Sequence, residues 1–167
     1  MRPSTPPPAG SPVMADVGTA RRRGGRALDP WVLAVVAGGG IAGAEARYAL
    51  SLWQPPATGQ WPLTTWAINV GGSFLLGALV VVLTELTSPH RLLRPFLGVG
   101  VLGGFTTFST AMVDVHDLAA EGHPLVALGY LIGTALGALG AVLVGTLAVR
   151  GAAAAWTRRR TRRGTRR

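Results

Sequence analysis

The chain has 167 residues, of which 49% are hydrophobic and 14% are charged, and its net charge is +9. Soluble globular domains usually contain about 25% charged residues, so this composition is typical of a membrane protein. The sequence contains no cysteine, which excludes disulfides, thiolate metal sites and thiol nucleophiles. All basic residues are arginines, and most of them lie in the two tails. The body of the chain therefore lacks the basic surface of a nucleic-acid-binding domain, and we expect no nucleic acid partner.

The composition divides the chain into three regions. Residues 1–29 are rich in proline, glycine, serine and arginine and have no apolar period, which predicts a disordered N-terminal tail. Residues 30–150 hold the apolar sequence and form the predicted transmembrane domain. Residues 151–167 are an arginine-rich C-terminal tail, for which contact with anionic lipid headgroups is the simplest interpretation.

Four apolar segments make up the predicted transmembrane domain, at about residues 31–53, 63–86, 92–115 and 125–149. Each is close to the roughly 20 residues that cross about 30 Å of hydrocarbon. The alternative is a set of buried core helices in a soluble protein, but four such segments leave almost no polar sequence to coat a soluble surface. We therefore expect an all-α membrane protein with four transmembrane helices.

Arginines in the short flanks predict the orientation of these helices. They occur in the N-terminal tail, in the loop between the second and third segments (Arg91 and Arg94), and in the C-terminal tail. The loops at 54–62 and 117–124 contain none. Because arginine is enriched on the cytoplasmic side of membrane proteins, we expect both termini in the cytoplasm, with a strong bias.

Small and polar residues recur four positions apart in three of the segments, which is typical of faces where membrane helices approach closely. The rows are Gly39, Gly43 and Arg47 in the first segment; Asn69, Ser73 and Gly77 in the second; and Gly129, Gly133, Gly137, Ala141 and Gly145 in the fourth.

The third segment carries two glycines and several hydroxyls near its middle, in residues 103–110 (GGFTTFST). Gly103 and Gly104 are poor helix formers, so we expect the helix to break there. Unwound backbone at membrane depth is tolerated only when it is buried in protein or lines a cavity. Freed carbonyls and hydroxyl oxygens suit a hard cation such as Na⁺, whereas the N–H groups of the restarting helix suit an anion.

Four further side chains have both a functional and a structural interpretation. Arg47 lies inside an apolar segment, where a charge is costly, and is either functional or a snorkelling interfacial residue. Asn69 is either a donor for a passing anion or half of an interhelical hydrogen bond. Phe108 either presents the positive edge of its ring to an anion or packs. Glu45 points away from Arg47, towards the outer interface or a partner. No catalytic constellation is present, so we expect no enzyme.

Three ordered motifs resemble those of the CrcB, or Fluc, family of small bacterial fluoride channels. They are residues 39–48 (GGIAGAEARY), 65–77 (TWAINVGGSFLLG) and 103–110 (GGFTTFST). The resemblance covers about residues 31–149. It implies a fluoride-selective channel in the bacterial cell membrane that exports cytoplasmic fluoride passively and so confers fluoride resistance.

The resemblance also implies an architecture and a set of site residues. Protomers of four helices would form an antiparallel, dual-topology dimer with two pores. A structural Na⁺ at the dimer interface would be held by backbone oxygens of Gly103 and Thr106. The ion pathway would be lined by Asn69, Phe108, Ser109, Thr110, Tyr130 and Thr134, with Arg47 at the aqueous vestibule.

The chain departs from the family pattern at two positions. Ala111 stands where members usually carry a second phenylalanine, and Ala138 stands where a further hydroxyl is expected. An inverted homodimer also requires a weak orientation bias, and the bias here is strong. We therefore weigh a homodimer against a heterodimer with an oppositely oriented homologue that supplies the missing aromatic. Two alternatives remain at this point: a non-conducting partner subunit, and a small multidrug antiporter with Glu45 as its carboxylate.

Overall fold

The structure, a computed structural model, describes residues 29–53 and 58–164, and every regular element in these ranges is a helix. The expected N-terminal tail lies outside the described residues except for Asp29. The helices are α1 (Pro30–Trp53), α2 (Leu63–Val81, continuing as a π-helical turn over Val82–Leu86), α3 (a π-helical part, Pro95–Leu102, followed by Gly103–Phe105), α4 (Phe108–Ala120) and α5 (Pro124–Gly164).

Three stretches in the described residues are long and apolar enough to cross a membrane: Leu63–Leu86, Pro95–Ala120 and Pro124–Arg159. The second of these contains both α3 and α4. α1 has a comparable length of 24 residues but carries Glu45 and Arg47, and it is not among the three. The all-helical class is confirmed, and the role of α1 as a fourth span stays a prediction.

Glycines bring the backbones of α1 and α3 into direct contact. A methyl group on Gly39 would lie 2.5 Å from the carbonyl oxygen of Phe96, and one on Gly43 would overlap the carbonyl of Val101. From the other side, Gly104 abuts the carbonyl of Gly40. The predicted small-residue face of the first segment is therefore confirmed as a helix contact, and its partner is α3.

The small-residue row of α5 packs against α2. Gly145 abuts the carbonyl of Phe74, and Gly77 of α2 abuts the carbonyl of Val142. Nearer the start of α5, Gly133 lies against the indole of Trp61. Thr146 adds a hydrogen bond of 2.8 Å to Val142 and a longer one of 3.4 Å to Gly77. The predicted row is thus confirmed as a packing face.

The expected position of the helix break was wrong by about three residues. Gly103 and Gly104 keep helical geometry, whereas the chain becomes extended at Thr106 (ψ 155°) and Thr107 (φ −147°, ψ 122°). The glycines serve close packing on α1, and the hydroxyl of Thr107 caps the new helix by accepting the N–H of Thr110 at 3.2 Å. Threonine is a good N-cap residue, which explains why α4 restarts here.

The last helix continues well beyond its expected end at residue 149. α5 has 41 residues, which corresponds to roughly 60 Å at 1.5 Å per residue. This is about twice the thickness of the hydrocarbon core. The helix therefore passes without interruption through the boundary expected between residues 150 and 151, and most of the arginine-rich tail is helical.

Ion pairs and arginine contacts join the elements at the end of the bundle where α5 projects. Arg150 makes a two-pronged contact with Glu85, with Nε 3.1 Å from each carboxylate oxygen. Arg91 pairs with Asp29 at 3.0 Å. Arg94 donates to the carbonyl of Leu83 at 2.7 Å, which fastens the start of α3 to the end of α2.

Candidate ion pathway

Asn69 of α2 clamps the backbone of Thr107 in the break. Its Nδ2 donates to the carbonyl oxygen of Thr107 at 2.8 Å, and its Oδ1 accepts the Thr107 N–H at 2.8 Å. Asn69 is 7% exposed, so these bonds form in a buried environment. Its Oδ1 takes the place of the Gly103 carbonyl, which would accept this N–H in a continuous helix, and one N–H of Asn69 is left over.

The break changes the pairing of three backbone carbonyls. In an uninterrupted helix, Gly103 would pair with the N–H of Thr107, and Thr106 with that of Thr110. The structure gives those two N–H groups to Asn69 and to the Thr107 hydroxyl instead. The Gly103 and Thr106 oxygens therefore lose their usual partners. The Gly104 carbonyl receives a substitute donor, the Nε of Arg47, at 3.2 Å.

Hydroxyls cluster at the start of α4. The hydroxyl of Thr107 donates to that of Thr110 at 2.9 Å and lies 3.4 Å from that of Ser109. Thr106 is not part of this cluster, because its hydroxyl donates to the carbonyl of Leu102 at 3.0 Å. The polar character expected at positions 109 and 110 is thus gathered around Thr107, which the sequence analysis had not singled out.

A cavity of about 320 Å³ lies beside the break, between α2, α3, α4 and α5. Its wall is largely apolar, and it includes most of the sequence-predicted site residues: Asn69, Gly103, Thr106, Phe108, Tyr130 and Thr134. Ser109, Thr110 and Arg47 do not line it. Phe108 lies at the edge of the cavity and is 77% exposed, so its ring makes few contacts within the chain.

Tyr130 and Thr134 form one wall of this cavity. Tyr130 is fully buried, and its hydroxyl donates to Oδ2 of Asp114 at 3.0 Å. The ring of Trp61 meets it edge-on, with centroids 5.4 Å apart. One turn away, the hydroxyl of Thr134 is buried and interacts with the Tyr130 hydroxyl, but it makes no hydrogen bond of good geometry within the described residues. A buried hydroxyl without a well-formed hydrogen bond is costly, so this group is available to a ligand that accepts a hydrogen bond.

Asp114, which accepts the hydrogen bond of Tyr130, is a second residue that sequence reasoning missed. It lies within the apolar stretch Pro95–Ala120, where a carboxylate is as unusual as Arg47 is in α1. The same criterion that singled out Arg47 would have found it. Asp114 also lines a small cavity of about 100 Å³ with Asp117 and Glu121.

Both departures from the family pattern lie in the wall of the larger cavity. Ala111 is 1% exposed and packs with Leu118, Ala127 and Tyr130. Ala138 lines the same cavity one turn beyond Thr134. A phenyl group at position 111 would have to occupy part of this space, so its absence leaves the cavity wider within one chain.

Residues 34–146 match the model of a protein family described as CrcB-like protein, Camphor Resistance. The match spans both the glycine contact of α1 with α3 and the clamped break. The chain belongs to the CrcB family.

Relatives in this family are named as fluoride channels. The chain is 50% identical over 128 residues to Fluoride-specific ion channel FluC 2 of Nocardia farcinica, covering 77% of this chain and 91% of the relative. It is 48% identical over 146 residues to FluC 1 of Streptomyces coelicolor, covering 87% of this chain and 94% of that relative. It is also 48% identical over 129 residues to FluC 2 of Streptomyces avermitilis, covering 77% and 82%.

Proposed function

We propose that this CrcB-family protein is a fluoride-selective channel that lets fluoride leave the cytoplasm passively and so confers fluoride resistance. The observation that carries the proposal is the cavity beside a broken helix, to whose wall Thr134 brings a buried hydroxyl without a well-formed hydrogen bond. Membership of a family whose close relatives are named as fluoride-specific channels supports the choice of anion.

The cavity offers hydrogen-bond donors to an anion in an otherwise largely apolar wall. The Thr134 hydroxyl makes no well-formed hydrogen bond, and Asn69 keeps one N–H after its bond to Thr107. The ring edge of Phe108 carries partial positive charge at the exposed side of the cavity. A small anion that accepts strong hydrogen bonds can exchange its water for such donors, whereas a larger or weaker acceptor gains less from them.

The freed carbonyls of the helix break support a bound sodium ion and a second chain. The Gly103 and Thr106 carbonyls have lost their helical partners, and bare carbonyls at membrane depth require a ligand or a neighbour. Hard cations take several oxygen ligands, so the two oxygens from one chain would need others. We propose that α1 is the fourth span and that an inverted second protomer completes the Na⁺ site.

The charge distribution supports a heterodimer over a homodimer. Arg91, Arg94 and Arg150 lie at the end of the bundle from which α5 projects, whereas Asp117, near the end of α4, and Glu121, just after it, lie at the opposite end. Such asymmetry favours one orientation, with both termini in the cytoplasm of a bacterial cell. Streptomyces avermitilis has two relatives, FluC 2 and FluC 3, at 48% and 49% identity, so a pair of homologues in one organism has precedent.

Two other functions are not favoured. A small multidrug antiporter would need a carboxylate deep in α1, and Glu45 is exposed. Glu45→Gln separates the cases, because drug–proton exchange would disappear in an antiporter while fluoride flux should survive in a channel. A non-conducting partner subunit has no observation in its favour, since the cavity and its donors are present in this chain.

Fluoride resistance tests the proposal in cells. A bacterium without its own fluoride exporter should grow at higher fluoride when it expresses this chain with its homologue, and Asn69→Asp should abolish that growth. Expression of this chain alone tests the heterodimer, which predicts little resistance. Equal fluoride resistance in cells with this chain alone and in cells with both chains would contradict the heterodimer but not the channel. Reporter fusions should show one orientation of the chain in both cases.

A further inference from the structure

We propose that Arg47 is a positioning residue that holds the helix break in the form that leaves the Gly103 and Thr106 carbonyls free for a cation. The inference rests on the proposed Na⁺ site. It assigns Arg47 a role in the architecture of the break, which differs from the vestibule role expected from the family resemblance.

Arg47 continues the face of α1 that packs on α3. It follows Gly39 and Gly43 at intervals of four residues, and both glycines bring α1 into backbone contact with α3. One turn further along, the half-buried guanidinium reaches the end of α3 and donates from Nε to Gly104 at 3.2 Å. Neither ion pair found in the described ranges involves Arg47, so its partner is a carbonyl and not a carboxylate.

The Gly104 carbonyl needs this donor because of the break. In a continuous helix it would accept the N–H of Phe108, but the extended backbone at Thr106 and Thr107 separates the two. An unpaired carbonyl at membrane depth is costly. A guanidinium makes a charge-assisted bond, which is stronger than the neutral bond that was lost.

Without Arg47, the simplest way to satisfy Gly104 is to continue the helix through the break. That change would return the Thr107 N–H to Gly103 and the Thr110 N–H to Thr106, and it would remove both carbonyls from a cation. Arg47 and the cation therefore stabilise the same broken state. Two interactions that favour the same state of an equilibrium are positively coupled. The loss of Arg47 should therefore weaken the binding of the cation.

A role in attracting anions to the vestibule predicts something different. Loss of the charge would then slow fluoride flux but leave the response to Na⁺ unchanged. Simple repulsion between the guanidinium and Na⁺ would make Na⁺ bind more tightly once the charge is removed. The Na⁺ dependence of unfolding separates the three roles, because a ligand bound only to the folded state raises its stability with concentration.

The test is a titration of thermal unfolding with NaCl against choline chloride at constant ionic strength, on the purified full-length protein with its homologue. Arg47→Gln removes the charge and shortens the donor, and Arg47→Lys keeps a charged donor. Arg94→Gln is the matched control, because Arg94 also donates to a carbonyl, that of Leu83 at 2.7 Å, at the opposite end of α3.

We expect Arg47→Gln to raise the Na⁺ concentration of half-maximal stabilisation by about tenfold, a typical coupling, and Arg47→Lys to raise it less. Arg94→Gln should lower the unfolding temperature in all salts without moving the half-maximal concentration. An Arg47→Gln titration that matches the wild type, or moves to lower Na⁺, overturns the inference. Absence of any Na⁺ response in the wild type also overturns it, and parallel fluoride efflux then shows whether the channel proposal itself survives.

Discussion

Asn69 binds both polar groups of Thr107, donating to its carbonyl and accepting its N–H, each at 2.8 Å. This pair of bonds turns an interruption in a membrane helix into a defined structure. The two interpretations of Asn69, as a donor to an anion and as half of an interhelical hydrogen bond, are therefore compatible, because both ends of the amide bind Thr107 and Nδ2 keeps a second N–H. The bond to Thr107 fixes the amide, and its remaining N–H is available at the cavity.

Asn69→Asp should disrupt the break while keeping the size of the side chain. The carboxylate can accept the Thr107 N–H but cannot donate to the carbonyl, so its second oxygen would lie against the carbonyl oxygen with no proton between them, at a cost of about 1–3 kcal/mol. Its negative charge also faces the cavity. We expect a lower unfolding temperature and fluoride efflux reduced at least about tenfold. Ser73→Ala, on the same helix face and cavity wall, should change both quantities much less.

Thr134→Val should separate stability from transport. The Thr134 hydroxyl makes no well-formed hydrogen bond in the described structure, so a methyl group of similar size removes a donor and changes the free energy of unfolding by no more than about 1 kcal/mol. We expect an unchanged or raised unfolding temperature and slower fluoride efflux. Thr146→Val is the control on the same helix, because it removes the bond to Val142 and should lower stability while leaving efflux close to normal. Slower efflux only in the control would contradict this assignment.

Gly43→Ala should separate α1 from α3. The added methyl group would overlap the Val101 carbonyl, which is backbone and cannot rotate away. Overpacking of this kind costs typically about 1–3 kcal/mol. Gly38 lies on the same helix with nothing within 4 Å of an added methyl group, so Gly38→Ala should be neutral or slightly stabilising. Thermal unfolding in detergent measures both, and equal effects would argue against the glycine contact.

Phe108→Leu should slow transport without loss of stability. The ring is 77% exposed within the chain and makes few packing contacts, so its folding contribution is small. Leucine removes the positive ring edge while keeping an apolar side chain. We expect fluoride efflux to fall about tenfold with little change in unfolding temperature. Phe74→Leu, a change of a 37% exposed phenylalanine on α2, should leave efflux unchanged.

The sequence predicted the all-helical class, the contact faces and the presence of a break, because each depends on local spacing. It placed the break at Gly103 and Gly104, since glycine is the usual helix breaker. The structure uses these glycines for close packing and lets the hydroxyl of Thr107 start the new helix. Glycine permits a break, but tertiary contacts decide where the break falls.

Other features depend on contacts between distant residues and were not predictable from spacing. The bond from Arg47 to Gly104 joins positions 57 apart and depends on how deeply α1 and α3 interlock. The continuation of α5 is different, because a local signal existed. Residues 152–155 are all alanine, the best helix former, so the arginine at position 150 ends the apolar segment without ending the helix.

The most direct test of fluoride conduction is efflux from liposomes loaded with potassium fluoride, followed with a fluoride electrode after addition of valinomycin. Purified protein, reconstituted with its homologue, should release fluoride rapidly and without any energy source, whereas potassium chloride-loaded liposomes should release chloride hardly faster than protein-free ones. Thr134→Val should slow fluoride release in the same assay. Fluoride release no faster than from empty liposomes, or equal release of chloride, would contradict a fluoride-selective channel.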